Sequence, residues 1–380
     1  MKIDADPMRA PVFPVKPYEH VAIVGGGSWG MALAILATRA GRHVTVWCRR
    51  PEVAEALNQS RCATMIKGAP MIPEGIVATT DMARALAGAD AALIVVPSVA
   101  VRETCRAMAP HLAEGAPVIL CAKGVEEGTG RLMTEIAAEE FGGRSIGVLS
   151  GPTFAHEAAA GHFTAATVAS EFHEGGARRP DQLVAARIAV SFGSESFRPY
   201  ISDDIVGVEI GGALKNVIAI ACGMMTGAGF AENTRAALIS RGVDEMKRLA
   251  EALGGRRETV TGLSGVGDLT LTCSSTSSRN MSLGVQLGSG VARAECFEGR
   301  PVVVEGERNA ISSTDLARGL GVELPICEAV RAILHENAPI GETFARLWSR
   351  PLEAEPKALD FLIDHPSDEA AIRRIAAVIS

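Results

Sequence analysis

The chain has 380 residues, 47% of them hydrophobic, which is too long for one ordinary core and points to two domains. Its 37 basic and 44 acidic residues leave a net charge of −7, so nothing draws it in general to nucleic acid or an anionic membrane, and an anionic ligand would need a local basic pocket. With eleven Phe, three Trp and two Tyr it offers no base-stacking platform.

The first 19 residues hold four prolines and no apolar core, so a flexible arm is expected there and not a signal peptide. Val21-Ala-Ile-Val24 then runs into Gly25-Gly-Gly-Ser-Trp-Gly30, a buried parallel strand ending in a tight turn. Gly25, Gly27 and Gly30 satisfy G-x-G-x-x-G, and residues 31–40 read as a helix that stops at Gly41. Gly25 permits the turn, Gly27 lets the backbone approach a pyrophosphate, and Gly30 lets helix and strand pack closely. The helix start would hold the phosphates through its N–H groups and dipole. A glycine-rich turn without a ligand is the bland alternative; the strand before, the helix after and a second strand at Val44–Trp47 favour a dinucleotide.

That second strand ends in Arg49-Arg50, where an NAD-selective site places a carboxylate for the ribose diol. Either arginine can simply be solvated, but at this position they favour NADPH over NADH. Further buried strands are expected at 91–96, 117–121 and 146–149, with a helix over 130–141. Thr164–Ala169, a helix around 181–190 and Phe197–Tyr200 complete a mostly parallel, doubly wound α/β sheet. From about residue 204 the pattern turns helical. The expected organisation is therefore an arm at 1–19, a Rossmann-type domain at 20–203, a mostly α-helical domain at 204–353 and an extension at 354–380. The apolar run from Val217 to Phe230 falls short of the ~20 residues a membrane helix needs, so no membrane insertion is expected. The eight cysteines, at 48, 62, 105, 121, 222, 273, 296 and 327, include no C-x-x-C pair, which suggests reduced thiols in a cytoplasmic protein and no metal site.

Three places carry chemistry. Lys123 lies just past a strand end, where open α/β sheets bind ligands, and Ser150-Gly151-Pro152-Thr153-Phe154 follows another strand into the same crevice. Lys215 is the one charge between Ile210 and Gly229; buried there, its pKa falls and it can transfer a proton, unless it snorkels from a helix edge. Asp268 sits in the glycine-rich Gly262–Thr272, followed by Ser278-Arg279-Asn280, donors suited to a phosphate. Taken singly, Asp268 can be a helix cap and Arg279 a surface charge.

Gly25–Gly30 with Trp29, Ala122-Lys123-Gly124, Ser150–Ala155, Gly212–Ile220, Gly265–Leu269, Ser278–Asn280 and Val304-Glu305-Gly306 occur in order over roughly residues 20–353. This set closely resembles the NAD(P)-dependent glycerol-3-phosphate dehydrogenases of the bacterial biosynthetic type. The resemblance implies a Rossmann domain joined to a helical one, with the active site between them. It implies Lys215 as proton carrier beside Lys123 and Asp268. Thr153, Ser278, Arg279 and Asn280 would grip the substrate, a small phosphorylated triose, and the same stretches add Gly151 and Thr272. Cofactor contacts would come from Ser28, Trp29, Arg49, Lys123, Ala155, Arg279, Val303 and Glu305, with Arg50 and the three glycines beside them. It further implies a homodimer. Glu307 departs from the pattern, standing where such proteins usually carry an apolar residue.

The expected reaction is reduction of dihydroxyacetone phosphate to sn-glycerol 3-phosphate by NAD(P)H, supplying phospholipid synthesis. Two alternatives remain. A sister dehydrogenase for a hydroxy acid or sugar nucleotide is disfavoured by Ser278–Asn280 beside Gly265–Asp268. A non-catalytic dinucleotide sensor is disfavoured by the presence of Lys215 and Asp268.

Overall fold

The computed structural model describes residues 13–172, 180–351, 354, 362–365 and 373; most of the expected arm and extension lie outside these residues. Eight strands form one sheet: β1 (His20–Val24), β2 (His43–Trp47), β3 (Ile76–Thr79), β4 (Ala91–Ile94), β5 (Val118–Leu120), β6 (Ile146–Ser150), β7 (Thr164–Ser170) and β8 (Phe197–Ser202). Their spatial order is β3-β2-β1-β4-β5-β6-β7-β8, and every neighbouring pair is parallel except β6 with β7. The first six places follow the dinucleotide-binding order, in which winding reverses between β1 and β4 and opens a crevice at the carboxyl ends. This is the mostly parallel, doubly wound sheet expected. Val21–Val24 is buried on both faces, as its unbroken apolar run requires.

Helices α1 (Ser28–Arg39), α2 (Pro51–Ser60), α3 (Met82–Leu86), α4 (Val101–Met108), α5 (Met133–Phe141), α6 (Ala155–Ala160) and α7 (Val184–Phe192) accompany the strands. Several expected boundaries move by a few residues; the strand expected at 91–96 ends at Ile94, and the helix expected around 181–190 runs over Val184–Phe192. α1 starts at Ser28, inside the glycine motif, and the helix expected from 130 starts at Met133 because Leu132 bridges to Val125. Strand β3 is not foreseen from sequence. It is an edge strand of four residues whose Val77 faces outward, so its alternation is too short to register.

The helical C-terminal domain contains α8 (Ile205–Gly227), α9 (Glu232–Ala252), α10 (Arg257–Val260), α11 (Asp268–Cys273), α12 (Arg279–Gly288), α13 (Glu305–Gly319), α14 (Pro325–His335) and α15 (Ile340–Trp348). α8 is its axis. Asp204 starts it, one carboxylate oxygen accepting from Gly207 N and the other from Arg256 N. Where α12 crosses, the two backbones touch: a Cβ on Gly223 would lie 2.4 Å from the Met281 carbonyl oxygen, and one on Gly284 would lie 2.2 Å from that of Ile220. The whole of α8 also corrects the expectation drawn from Val217–Phe230. It is long and apolar enough to cross a bilayer, but 89% of its apolar window is buried inside the protein. Its apolarity is that of a core helix surrounded on all sides.

Glu307, the departure noted in sequence, lies on α13 and accepts from Arg293 through both carboxylate oxygens, at 2.6 and 2.8 Å. The local charge is thus answered by a bidentate partner.

Glu209 fastens α8 to the sheet layer. Fully buried, it accepts from the Thr134 backbone N–H at 3.0 Å and from the Thr134 hydroxyl at the start of α5. Burial pushes its carboxyl up to about 7 against the lowering effect of those two bonds. The folded chain therefore holds a proton that the unfolded chain releases near 4.5. The stability this supplies is complete below that value and is lost as pH rises through about 7. Glu209→Gln can keep both bonds, because the threonine hydroxyl can accept instead of donate. Urea midpoints at about pH 5 and about pH 7 should then lie closer together in the variant than in the parent chain. An unchanged spacing would show that Glu209 is ionised throughout.

Candidate active site

β1 enters the turn at Gly25 (φ +133), where a Cβ would lie 2.2 Å from the Val95 carbonyl oxygen. At Gly30 a Cβ would fall 1.8 Å from the Gly25 carbonyl oxygen, so the helix closes on the strand only with hydrogen at this position. Gly27 is different. A Cβ there would meet nothing within 4 Å, and the N-terminus of α1 carries no side-chain cap. The start of this 12-residue helix thus has open space beside Gly27 and first-turn N–H groups that no side chain caps, with the positive end of its dipole behind them. This room and donor set fit a pyrophosphate, so Gly25, Gly27, Ser28, Trp29 and Gly30 would hold a dinucleotide here. When bound, its nicotinamide supplies or accepts a hydride.

Around that cradle, the Ser28 hydroxyl donates to the Met65 carbonyl at 2.5 Å, and Trp29 packs its ring partly into the core. Arg49 and Arg50 are exposed just past β2, with Arg50 at 3.6 Å from Glu52. Ala155 opens α6, and Val303, 60% exposed, precedes α13.

The charged centre assembles from far apart in sequence. The loop after β5 presents Lys123, α8 presents Lys215, and α11 presents Asp268. One Asp268 oxygen accepts from Lys123 Nζ at 2.5 Å, and the other accepts from Lys215 Nζ. Lys215 Nζ also donates to the Thr272 hydroxyl at 3.0 Å, and Lys123 Nζ reaches the Gly151 carbonyl at 3.5 Å. Asp268 is not a helix cap; the cap position belongs to Gly267, and the carboxylate is spent on the two ammonium groups. Lys215 does not snorkel, being only 8% exposed. The glycines around Asp268 have a steric cause. Leu263–Gly267 forms one π-helical turn against α8, in which a Cβ on Gly265 would lie 1.9 Å from the Val260 carbonyl oxygen; on the facing α8, a Cβ on Gly211 would lie 2.8 Å from the Ser264 carbonyl oxygen.

Burial pushes the Lys215 ammonium down to about 8; the Lys123 charge acts in the same direction, and Asp268 and Glu305 pull against it. Burial would raise the Asp268 carboxyl, but the two lysines hold it below the usual carboxylate value. Glu305 is raised by burial against Arg279, Lys123 and Lys215.

An amide chain runs beside the lysines. Asn216 Nδ2 donates to Glu305 at 3.4 Å, Asn280 Nδ2 donates to Asn216 Oδ1 at 2.9 Å, and the Gly306 N–H donates to Asn280 Oδ1 at 2.9 Å. Both ends of the Asn280 amide are therefore engaged within the protein. The Ser278 hydroxyl caps α12, leaving Arg279 exposed on its first turn. The Thr153 hydroxyl donates to the Gly151 carbonyl at 3.2 Å. Lys123, Gly151, Lys215, Asp268 and Thr272 are thus brought into one cluster, with Glu305 and Asn280 linked to Lys215's neighbour Asn216. Arg49 and Arg50 stand at the end of β2, on the dinucleotide side. Sequence reading missed Asn216 and Asn309. The first had a signal, an amide directly after the lone lysine of an apolar stretch; the second had none.

Between α9, α14 and α15 lies a cavity of about 780 Å³ lined by Leu238, Glu245, Ile326, Leu347 and Trp348 among others. It shares no residue with the lysine–aspartate cluster, so it is not the place where this chemistry occurs.

Models of the NAD-dependent glycerol-3-phosphate dehydrogenase N-terminus and C-terminus match residues 20–175 and 204–345. A glycerol-3-phosphate dehydrogenase (NAD(P)+) of Caulobacter vibrioides is 46% identical over 339 residues, covering 89% of this chain and 99% of its own. This chain belongs to that family. The Rhodospirillum rubrum protein of the same name is 44% identical, over 89% of this chain and 94% of its own. The solved glycerol-3-phosphate dehydrogenase of Coxiella burnetii superposes with a TM-score of 0.80 at 35% identity, over 88% of this chain and 99% of its own. The chain is accordingly an NAD(P)-dependent oxidoreductase, as the motif order implied.

The sign of the coupling between Asp268 and Lys215 is testable without substrate. Asp268→Asn removes the anion that keeps the lysine charged, so Lys215 should titrate below its present value of about 8. NMR titration of isotopically labelled lysine reads this directly. A Lys215 that moves upward would mean that Asp268 does not face it as an ionised group.

Proposed function

We propose that the Lys215–Asp268–Lys123 cluster carries the interconversion of dihydroxyacetone phosphate and sn-glycerol 3-phosphate. The observation that carries the assignment is one buried carboxylate held between two lysines, beside a cradle that fits a dinucleotide. Lys215 holds a proton in a site that disfavours its charge. It delivers that proton to the carbonyl oxygen of the ketose as the carbon is reduced, and takes it back in the reverse direction. Asp268 fixes the direction of the ammonium, and Thr272 fixes its second hydrogen. Lys123 opposes the negative charge that develops on the oxygen. With Ser278 and Asn280 engaged internally, the phosphate falls chiefly to Arg279 and the N–H groups at the start of α12, with Thr153 and Gly151 on the facing loop.

The reading extends to a domain boundary near residue 204, supported by β8 ending at Ser202 and Asp204 capping α8. It also extends to a homodimer in the cytoplasm serving phospholipid synthesis, which rests on the ordered motif set. A non-catalytic dinucleotide sensor gains no support from any of these observations.

Reduced nicotinamide absorbance with purified protein and dihydroxyacetone phosphate tests the reaction. Lys215→Ala should lose more than about a hundredfold in kcat while cofactor binding persists. Dihydroxyacetone without its phosphate should be a far poorer substrate, since removing one charge-assisted hydrogen bond costs about 2 kcal/mol. Equal use of both ketones would remove the phosphate pocket from the proposal.

Cofactor choice is a separate matter. Exposed Arg49 and Arg50 replace the carboxylate that would bond a ribose diol and repel a 2′-phosphate. We expect NADPH to work at least as well as NADH, with Arg49 as the main contact. Arg49→Asp should lower kcat/KM for NADPH by about tenfold or more, given an arginine–phosphate interaction of about 1.5–3 kcal/mol. A strong preference for NADH that this substitution leaves unchanged would mean both arginines serve only the solvent.

A further inference from the structure

The loop that carries Lys123 has no regular structure to hold it, yet its ammonium must reach an aspartate on a helix of the other domain. Two groups restrain the side chain, Asp268 and the Gly151 carbonyl. The backbone is restrained from elsewhere. Asn309, on α13 and only 1% exposed, donates from one nitrogen, Nδ2, to the Lys123 carbonyl at 3.3 Å and to the Ala213 carbonyl at 3.2 Å. Ala213 lies two residues before Lys215 on α8. The other end of the same amide closes on the next loop residue: a Cβ on Gly124 (φ +155) would stand 2.7 Å from Asn309 Oδ1.

We propose that Asn309 is a positioning residue that sets the distance between the two active lysines, clamping the Lys123 backbone to α8 two residues from Lys215. It touches neither substrate nor the reacting atoms. A primary amide suits the place because it offers two hydrogens to two carbonyls that no carboxylate or apolar side chain could satisfy. The assignment rests on the catalytic reading of Lys123 and Lys215 given above.

The consequence is electrostatic as well as geometric. The charged groups facing Lys215 are Asp268 from α11, Lys123 from the β5 loop and Glu305 from α13, and the Lys123 charge is one of those that lower Lys215. If the clamp is released, Lys123 withdraws and Lys215 regains protons, so the alkaline limb of the kcat profile should move to higher pH. Misplacement of a catalytic group by about 1 Å costs up to about a hundredfold in rate, and the loss should appear in kcat more than in KM.

The test compares Asn309→Ala and Asn309→Thr, each in the parent chain and in a Lys123→Met background, with thermal melting run alongside. Asn309→Ala should lower kcat by at least about tenfold and raise the alkaline limb. Asn309→Thr keeps one donor and should recover part of both. In the Lys123→Met background the alanine substitution should have no further effect on kcat or on the pH profile, because the group it positions is gone. If its effect there is as large as in the parent chain, Asn309 is merely structural and the proposal fails. If Lys123→Met itself turns over normally, the catalytic reading of Lys123 fails, and the positioning role falls with it.

Discussion

Everything in this structure that bears on chemistry depends on one carboxylate shared between two ammonium groups. Asp268 is 2% exposed, and an isolated ion at that depth would cost several kcal/mol in lost hydration. It stays ionised because Lys123 and Lys215 approach its two oxygens from opposite partners, one on the sheet side and one on the central helix. The arrangement is asymmetric in charge, with two cations to one anion. Glu305, close enough to act on both lysines, is itself raised by burial against their charges and that of Arg279. A chain with a net charge of −7 thereby builds a local positive centre, the condition its composition set for an anionic ligand.

That centre also explains the architecture around it. The lysines cannot be brought to Asp268 unless α8, the β5 loop and α11 meet within a few ångströms, and the glycines make this possible. Gly211 admits the π-helical turn that precedes α11, and Gly223 and Gly284 bring α12 down onto α8. Two further buried carboxylates fix helices without taking part in chemistry. Glu209 accepts from the start of α5, and Glu245 from the Ile326 and Cys327 N–H groups at the start of α14. Burial raises both to about 7. The fold therefore holds acids of opposite character: Asp268, kept charged by its partners, and the helix-fixing pair, kept near neutrality by burial.

The dinucleotide cradle and the charged centre rest on different kinds of physics. The cradle is backbone: open space at Gly27, uncapped N–H groups and a dipole, all local to β1 and α1. The charged centre is made of side chains drawn from positions 123, 215 and 268, so it exists only when the whole chain is folded. A similar contrast separates Ser278 and Asn280 from Arg279. Adjacent in sequence, they have different tasks in space, since two are used within the protein and the third projects outward.

Much that depends on short-range order, short edge strands such as β3 aside, was already legible in the amino-acid sequence. The glycine motif, the buried strands expected at 21–24, 91–96 and 146–149, and the apolar course of α8 could be read because strand and helix periods and glycine sterics act over a few residues. Lys215 stood out for the same reason, as a lone charge in an apolar stretch. Packing settled the rest. Nothing near Asp268 in the chain says that its carboxylate bridges two lysines, nothing near Asn309 says that it holds the Lys123 carbonyl, and nothing near Glu307 announces Arg293. Nor could the length of α8 tell a membrane helix from a core helix, because the test of apolarity is the same for both. These outcomes are set by which elements pack together, and burial, the quantity that shifts a pKa or makes an unpaired polar group costly, is a property of that packing.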